Sequence, residues 1–220
     1  MVRRAANMPE LTRAMIEGLP IAGPTDPIAY YRRPVVGRLF LERVNMGLRL
    51  LDGQRFERVL EIGYGAGAVL LAVAALAKEV HGLDLDADPA AVGDILRHRG
   101  CQASLAKGDV RSLPYADGFF DLVISFSVFE HIREYRQALR EVARTLRPGG
   151  KFLLGMPAVN RTMSWGFRAI GFKGIDHHHV TTPAEVARGF NDCGLRVLED
   201  RYLGPRWAPM YSTWLLTKYG

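Results

Sequence analysis

Apolar and polar positions along this chain follow two periods. From residue 58 onward, short apolar runs alternate with stretches in which apolar residues recur every three or four positions, the spacing of one helix face. The runs predict strands at 58–63, 79–85, 102–107, 121–127 and 150–156, and the stretches between them predict helices near 68–78, 88–99 and 133–147. Such alternation describes a parallel sheet covered by helices on both faces. The stop signals agree: Gly100 permits a left-handed cap after the second helix, and Pro148-Gly149-Gly150 ends the third. Thr182, ahead of Pro183 and with Glu185 as its capping-box partner, starts a further helix that ends near Gly194. The tail breaks the alternation. Leu195–Leu203 and Met210–Lys218 read as two strands joined at Gly204-Pro205 with no helix between them, which is a hairpin.

The upstream part has a different texture. Pro9, Pro20, Pro24 and Pro27, with Gly18 and Gly23, prevent long regular structure and predict an extended arm or short helices. At 34–51, Val36, Leu39, Phe40, Val44, Leu48 and Leu51 recur at helical spacing, with Arg38, Glu42, Arg43 and Arg49 between them. That is an amphipathic helix opening at Pro34. Residues 1–57 are therefore read as an arm and helix that cover a site carried by residues 58–220. The same helix, being basic, has a second reading as a membrane-surface contact, which is not preferred.

Composition narrows the class. With 220 residues the chain can bury a large core unaided, and only Cys101 and Cys193 are present, which reads as reduced thiols in a cytoplasmic protein rather than a disulfide framework. No stretch approaches the ~18 consecutive apolar residues of a membrane span. The net charge of +6 comes from 29 basic and 23 acidic residues. Four of those six excess charges fall in residues 1–58, yet no run of basic residues interleaved with aromatics marks a nucleic-acid groove.

The chemistry begins at Arg58-Val59-Leu60-Glu61-Ile62-Gly63-Tyr64-Gly65-Ala66-Gly67, an apolar strand that breaks into alternating glycines just before a helix. Glycines there let the backbone turn and let a ligand approach, while the helix start presents unpaired N–H groups. Gly63-Tyr64-Gly65-Ala66-Gly67-Ala68, with Asp84 about 20 residues on, satisfies a dinucleotide-binding fingerprint. The fuller string, with Glu61 ahead of the glycines, resembles motif I of the class I S-adenosylmethionine-dependent methyltransferases. A pyrophosphate gains nothing from a carboxylate at that point, whereas a cationic amino-acid moiety does.

Further strings extend the resemblance. Val80-His81-Gly82-Leu83-Asp84-Leu85-Asp86 ends a strand in a carboxylate, and Lys107-Gly108-Asp109-Val110 precedes Phe120-Asp121-Leu122-Val123. Ser125-Phe126-Ser127-Val128-Phe129-Glu130-His131 and Arg140-Glu141-Val142-Ala143-Arg144-Thr145-Leu146-Arg147-Pro148-Gly149-Gly150 are similar to the group related to the ubiquinone and menaquinone biosynthetic enzymes, the type 11 domain. The similarity is close over residues 58–157 and looser to 220. It implies a three-layer α/β fold, doubly wound and Rossmann-like, whose mostly parallel seven-stranded sheet ends in the antiparallel hairpin. The implied cofactor is S-adenosyl-L-methionine. Its site would comprise Glu61 at the methionine end, Gly63, Tyr64, Gly65 and Gly67 in the loop, Asp84 on the ribose and Leu85 on the adenine face. Asp109 and Val110 would meet the adenine edge, with Ser125 and Phe126 alongside.

The implied reaction is in-line methyl transfer to an O, N or C nucleophile of a small-molecule acceptor. An NAD-dependent oxidoreductase and a non-catalytic S-adenosylmethionine-binding module are the alternatives. His131, His177 and His179 are the candidate bases, with His178 and Tyr30 behind them. Asp176-His177-His178-His179 could also present metal ligands, but no metal is assigned. Replacing Gly65 by valine should abolish S-adenosylhomocysteine binding measured by calorimetry while circular dichroism stays native, because a β-branched side chain resists the turn and occupies the ligand's space.

Overall fold

The computed structural model describes residues 8–22, 28–158 and 179–219. Its frame is one seven-stranded sheet of β1 (Phe56–Ile62), β2 (Ala77–Asp84), β3 (Ser104–Lys107), β4 (Phe120–Phe126), β5 (Leu146–Pro157), β6 (Leu195–Leu203) and β7 (Tyr211–Lys218). The order is β3-β2-β1-β4-β5-β7-β6. Strands β1 to β5 pair in parallel, and β7 runs antiparallel between β5 and β6. The hairpin at the tail thus places its last strand inside the sheet.

Side-chain alternation divides the core. Leu60 and Ile62 of β1, Val123 of β4 and Phe152 and Leu154 of β5 enter one apolar cluster with Ala138, Leu139 and Val142 of α6 (Tyr135–Thr145). Their neighbours Val59, Leu122, Ile124 and Leu153 enter a second cluster on the opposite face. That second cluster is closed by α1 (Arg13–Ile16), α2 (Ile28–Tyr31), α3 (Pro34–Leu48) and α4 (Ala68–Val73). A third cluster holds α5 (Pro89–His98) against Tyr64, Leu70 and Val80. Parallel strands buried on both sides explain the continuous apolar runs in the sequence.

Element boundaries shift where pairing competes with helix. The helix expected over 68–78 ends as α4 at Val73 and a 3₁₀ turn at Leu76, because Ala77 already pairs with Phe56. The helix expected to 147 stops at Thr145, and Leu146 pairs with Phe120. Pro148-Gly149-Gly150 lies inside β5 as a bulge, so that the next partner of β4, Leu122, meets Lys151. The helix expected to run from Pro183 to Gly194 is shorter, α7 (Pro183–Arg188), followed by a 3₁₀ turn at Asn191–Cys193. Its capping box is present: the Glu185 N–H donates to Thr182 Oγ1 at 3.3 Å, and the Thr182 N–H donates to Glu185 Oε2 at 2.7 Å.

The upstream residues are part of the packing. Leu11, Ile16, Leu19, Ile28 and Tyr31 are buried. Asn45 of α3 fixes the arm, its Oδ1 accepting from the Leu11 N–H at 2.7 Å and its Nδ2 donating to the Leu11 carbonyl at 3.0 Å.

Asp121, at the start of β4, joins three elements. Its carboxylate accepts from the N–H groups of Glu57 and Arg58 at 3.1 and 2.8 Å and from Arg147 Nε at 2.5 Å. Burial works against its charge, but these donors prevail and hold the carboxyl below the usual range. A depressed carboxyl stabilises the fold above its unfolded pKa and loses that contribution as pH falls through the folded one. Asp121→Asn should cost ~1–3 kcal/mol at pH 7. The gap from wild type in urea denaturation should shrink below about pH 4.

Candidate active site

The glycine loop leaves the C-terminal end of β1 at the centre of the sheet, where neighbours β2 and β4 lie on either side. Gly63, Gly65 and Gly67 have φ of 77°, 48° and 81°, the left-handed region that side chains disfavour. A Cβ on Gly63 would lie 2.2 Å from Val128 Cγ2, so the loop also abuts the segment after β4.

Asp84, at the end of β2, holds this loop. Its Oδ2 accepts from the Gly65 N–H at 2.9 Å, and its Oδ1 accepts from Asp86 and Ala87 at 2.8 and 3.0 Å. The cap of α5 is instead Asp88, whose Oδ1 accepts from Ala90 and Ala91 at 2.9 and 3.3 Å. Asp84 therefore combines a position at the ligand edge with an organising role that its sequence position did not reveal. Leu85 beside it is 61 % exposed, an apolar face open on this edge.

Glu61 lies under the loop, 3 % exposed. Its Oε2 has no hydrogen-bond partner among the described residues. Burial first, and the charge of Asp84 second, push its carboxyl well above the usual range. Ser125 Oγ at the end of β4 and the Tyr64 hydroxyl are likewise buried without a hydrogen-bond partner among the described residues. The Tyr64 side chain points into the cluster with Leu70 and Leu96, and burial raises its hydroxyl to about 12. A side chain placed there packs the loop down and does not reach out from it. Val110 is buried with Leu60, Ile62 and Leu83. Asp109, expected at the adenine edge, is gripped by Arg111: its Oδ1 accepts from the Arg111 N–H at 2.8 Å and its Oδ2 from Nη2 at 2.6 Å. That pairing lowers its pKa and occupies much of its acceptor capacity.

A second group lies past β4. Ser127 has φ 58°, an unusual conformation for a side-chain-bearing residue. Its Oγ is 3.1 Å from the hydroxyl of Tyr211, which begins β7. Tyr211 is buried, and burial raises its hydroxyl far above the usual value. Arg43 of α3, grouped by periodicity with the polar residues, faces inward. Its Cζ lies 4.0, 5.4 and 5.7 Å from the rings of Phe40, Tyr211 and Tyr31, and its buried Nε has no hydrogen-bond partner. Glu130, 1 % exposed, is raised to about 8 by burial, only partly offset by its own backbone and Arg43. Among the candidate bases, His131 and His179 come together with ring centroids 5.1 Å apart. Tyr30 stacks on Phe40 at 5.6 Å. His177 and His178 lie outside the described residues.

Sequence reasoning missed Arg43, Glu130, Ser127 and Tyr211. Glu130 stood beside His131 in a quoted string, but Arg43 and Tyr211 carried no motif.

The comparisons agree with this geometry. Residues 60–154 match the family described as a methyltransferase domain. An uncharacterized methyltransferase of Bacillus subtilis is 34% identical over 121 residues, 53% of this chain and 48% of that protein. A ubiquinone biosynthesis O-methyltransferase of Brucella ovis is 27% identical over 180 residues, 76% of this chain and 68% of that one. The crystal structure of a Pyrococcus horikoshii protein has the same fold with a TM-score of 0.68 at 19% identity, covering 89% of this chain and 97% of that one. The chain spans about half the length of the Bacillus relative. Residues 60–154 thus match a methyltransferase-domain family, and the sheet around them has the fold of the solved structures it resembles.

The residues present fit that family's methyl donor. A buried carboxylate with an oxygen unpartnered among the described residues suits an ammonium group, and Leu85 offers an apolar face. Asp84→Ala should weaken S-adenosylhomocysteine binding by ~1–3 kcal/mol through loss of a charge-assisted acceptor. Because three N–H groups lose their acceptor, the variant should also melt below wild type, which thermal unfolding without ligand would register.

Proposed function

We propose that this protein methylates a nucleophilic atom of a small-molecule acceptor, with S-adenosyl-L-methionine as donor. The observation that carries this reading is Glu61, a buried carboxylate with one unpartnered oxygen beneath a glycine turn. A dinucleotide pyrophosphate would be repelled there, and a cationic amino-acid end would be held. The antiparallel insertion of β7 between β5 and β6 also supports it, since a dinucleotide-binding sheet would end in another strand-helix unit.

When bound, the donor supplies a methyl group on a sulfonium leaving group, so leaving needs no acid. The chain's contribution is alignment and exclusion of water. Glu61 and Asp84 orient one end of the site, and Leu85 and Val110 line its nucleoside side. α3 contributes the cover: its Gly47 packs so closely on Phe126 that an added Cβ would lie 2.9 Å from the ring. Arg43, Tyr31 and Tyr211 then wall the acceptor side. A hydroxyl acceptor requires proton removal, for which His131 and His179 stand next to each other. The Brucella relative is named an O-methyltransferase, which favours oxygen as the accepting atom.

Calorimetry tests the donor. Wild-type protein should bind S-adenosylhomocysteine and not NAD, and Glu61→Gln should weaken that binding at least ~10-fold. A carboxyl raised by the fold destabilises it as pH rises above the unfolded value, so without ligand Glu61→Gln should be the more stable form at pH 7, by ~1–3 kcal/mol. Binding of NAD in place of S-adenosylhomocysteine would overturn the reading. Transfer of labelled methyl groups to a pool of phenolic and quinone-precursor compounds would then identify the acceptor.

A further inference from the structure

We infer that Glu130, His131 and His179 form a binding site for one divalent transition-metal cation of the zinc type, on the acceptor side of the methyl-transfer site. One carboxylate oxygen and one nitrogen from each imidazole all lie within 4.8 Å of one another. Small side-chain rotations bring such atoms to the separations that bonds of ~2.0–2.2 Å impose. Two imidazoles and a carboxylate are a donor set that first-row dications accept, and three protein ligands leave a position open to another oxygen.

Three observations lift the cluster above a chance meeting of polar side chains. First, its members come from two segments whose relative position is fixed by the backbone: the Glu130 carbonyl accepts from Val180 and Thr181 at 2.8 and 3.2 Å, and Thr181 Oγ1 donates to the Ile132 carbonyl at 2.7 Å. His179 is thereby held beside the 3₁₀ turn Phe129–His131. Second, Glu130 is 1 % exposed, and its Oε2 has no hydrogen-bond partner among the described residues. A buried carboxylate oxygen without a donor is costly, and a cation would relieve that cost. Third, Arg43 is near enough for its charge to act on Glu130. A dication together with Arg43 exceeds what one carboxylate balances. The ligand that completes the site is therefore an anionic oxygen, and the acceptor class it fits is a phenol or catechol that ionises on binding. This last step rests on the methyltransferase reading; the cation site does not.

The probe is Co²⁺ alone, added to chelator-treated full-length protein and followed by its visible absorption. Wild type should bind one equivalent, and His131→Ala, His179→Ala and Glu130→Gln should each weaken binding at least ~10-fold. His177→Ala/His178→Ala should leave it intact. Calorimetry with S-adenosylhomocysteine on every variant shows that the fold persists. No saturable Co²⁺ binding by wild type overturns the proposal. So does loss of binding only in the His177/His178 variant, which would assign the metal to the run of histidines. If S-adenosylhomocysteine fails to bind wild type while Co²⁺ binds, the methyltransferase reading falls and the cation site stands.

Discussion

The reversal of strand order beside β1 is the constraint on which the rest of the molecule depends. Going outward from β1, the chain builds β2 and β3 on one side and β4, β5 and β7 on the other. The connections that leave the C-terminal ends of β1 and β4 diverge, and a crevice opens between them. At that opening the glycine loop follows β1, Asp84 ends β2, Ser125 lies at the end of β4 with Ser127 just beyond it, and Tyr211 enters beside β5. A different strand order with the same helices would have left these groups on separate edges.

At the crevice, electrostatics are arranged around acids that the fold disfavours. Glu61 and Glu130 are both buried with an unpartnered oxygen, and burial raises both. Asp84, Asp109 and Asp121 instead accept several donors each, Asp84 and Asp109 from the turns that follow β2 and β3 and Asp121 from β1 and Arg147. A carboxylate that accepts several N–H groups fastens the segments that carry them, whereas a buried one with a vacant oxygen bears an unrelieved cost of burial.

The upstream segment packs against β5 and β7. α3 rests on Phe126 and delivers Arg43 into a ring of Phe40, Tyr31 and Tyr211. Its anchorage, through Asn45 to the backbone of Leu11 and through five buried apolar residues, commits the arm to the core of the domain. Arg43 and Tyr211 are thus brought together from parts of the chain far apart in sequence.

Much of this was legible in the residues alone. The alternation of apolar runs and helical spacings, the capping box at Thr182 and Glu185, and the Gly204-Pro205 hairpin are local signals, set by period and by backbone dihedrals, and they lead to the observed sheet. The glycine loop was legible because a turn of left-handed dihedrals imposes glycine at fixed spacing. What tertiary structure decided is everything that depends on meeting across the chain. Helical periodicity put Arg43 among polar positions, but α3 lies against Tyr211, and no local pattern records that neighbour. Likewise Asp84 turned out to fasten Gly65, and His179 to stand beside His131. Period fixes which face of an element is buried; only packing fixes what that face meets.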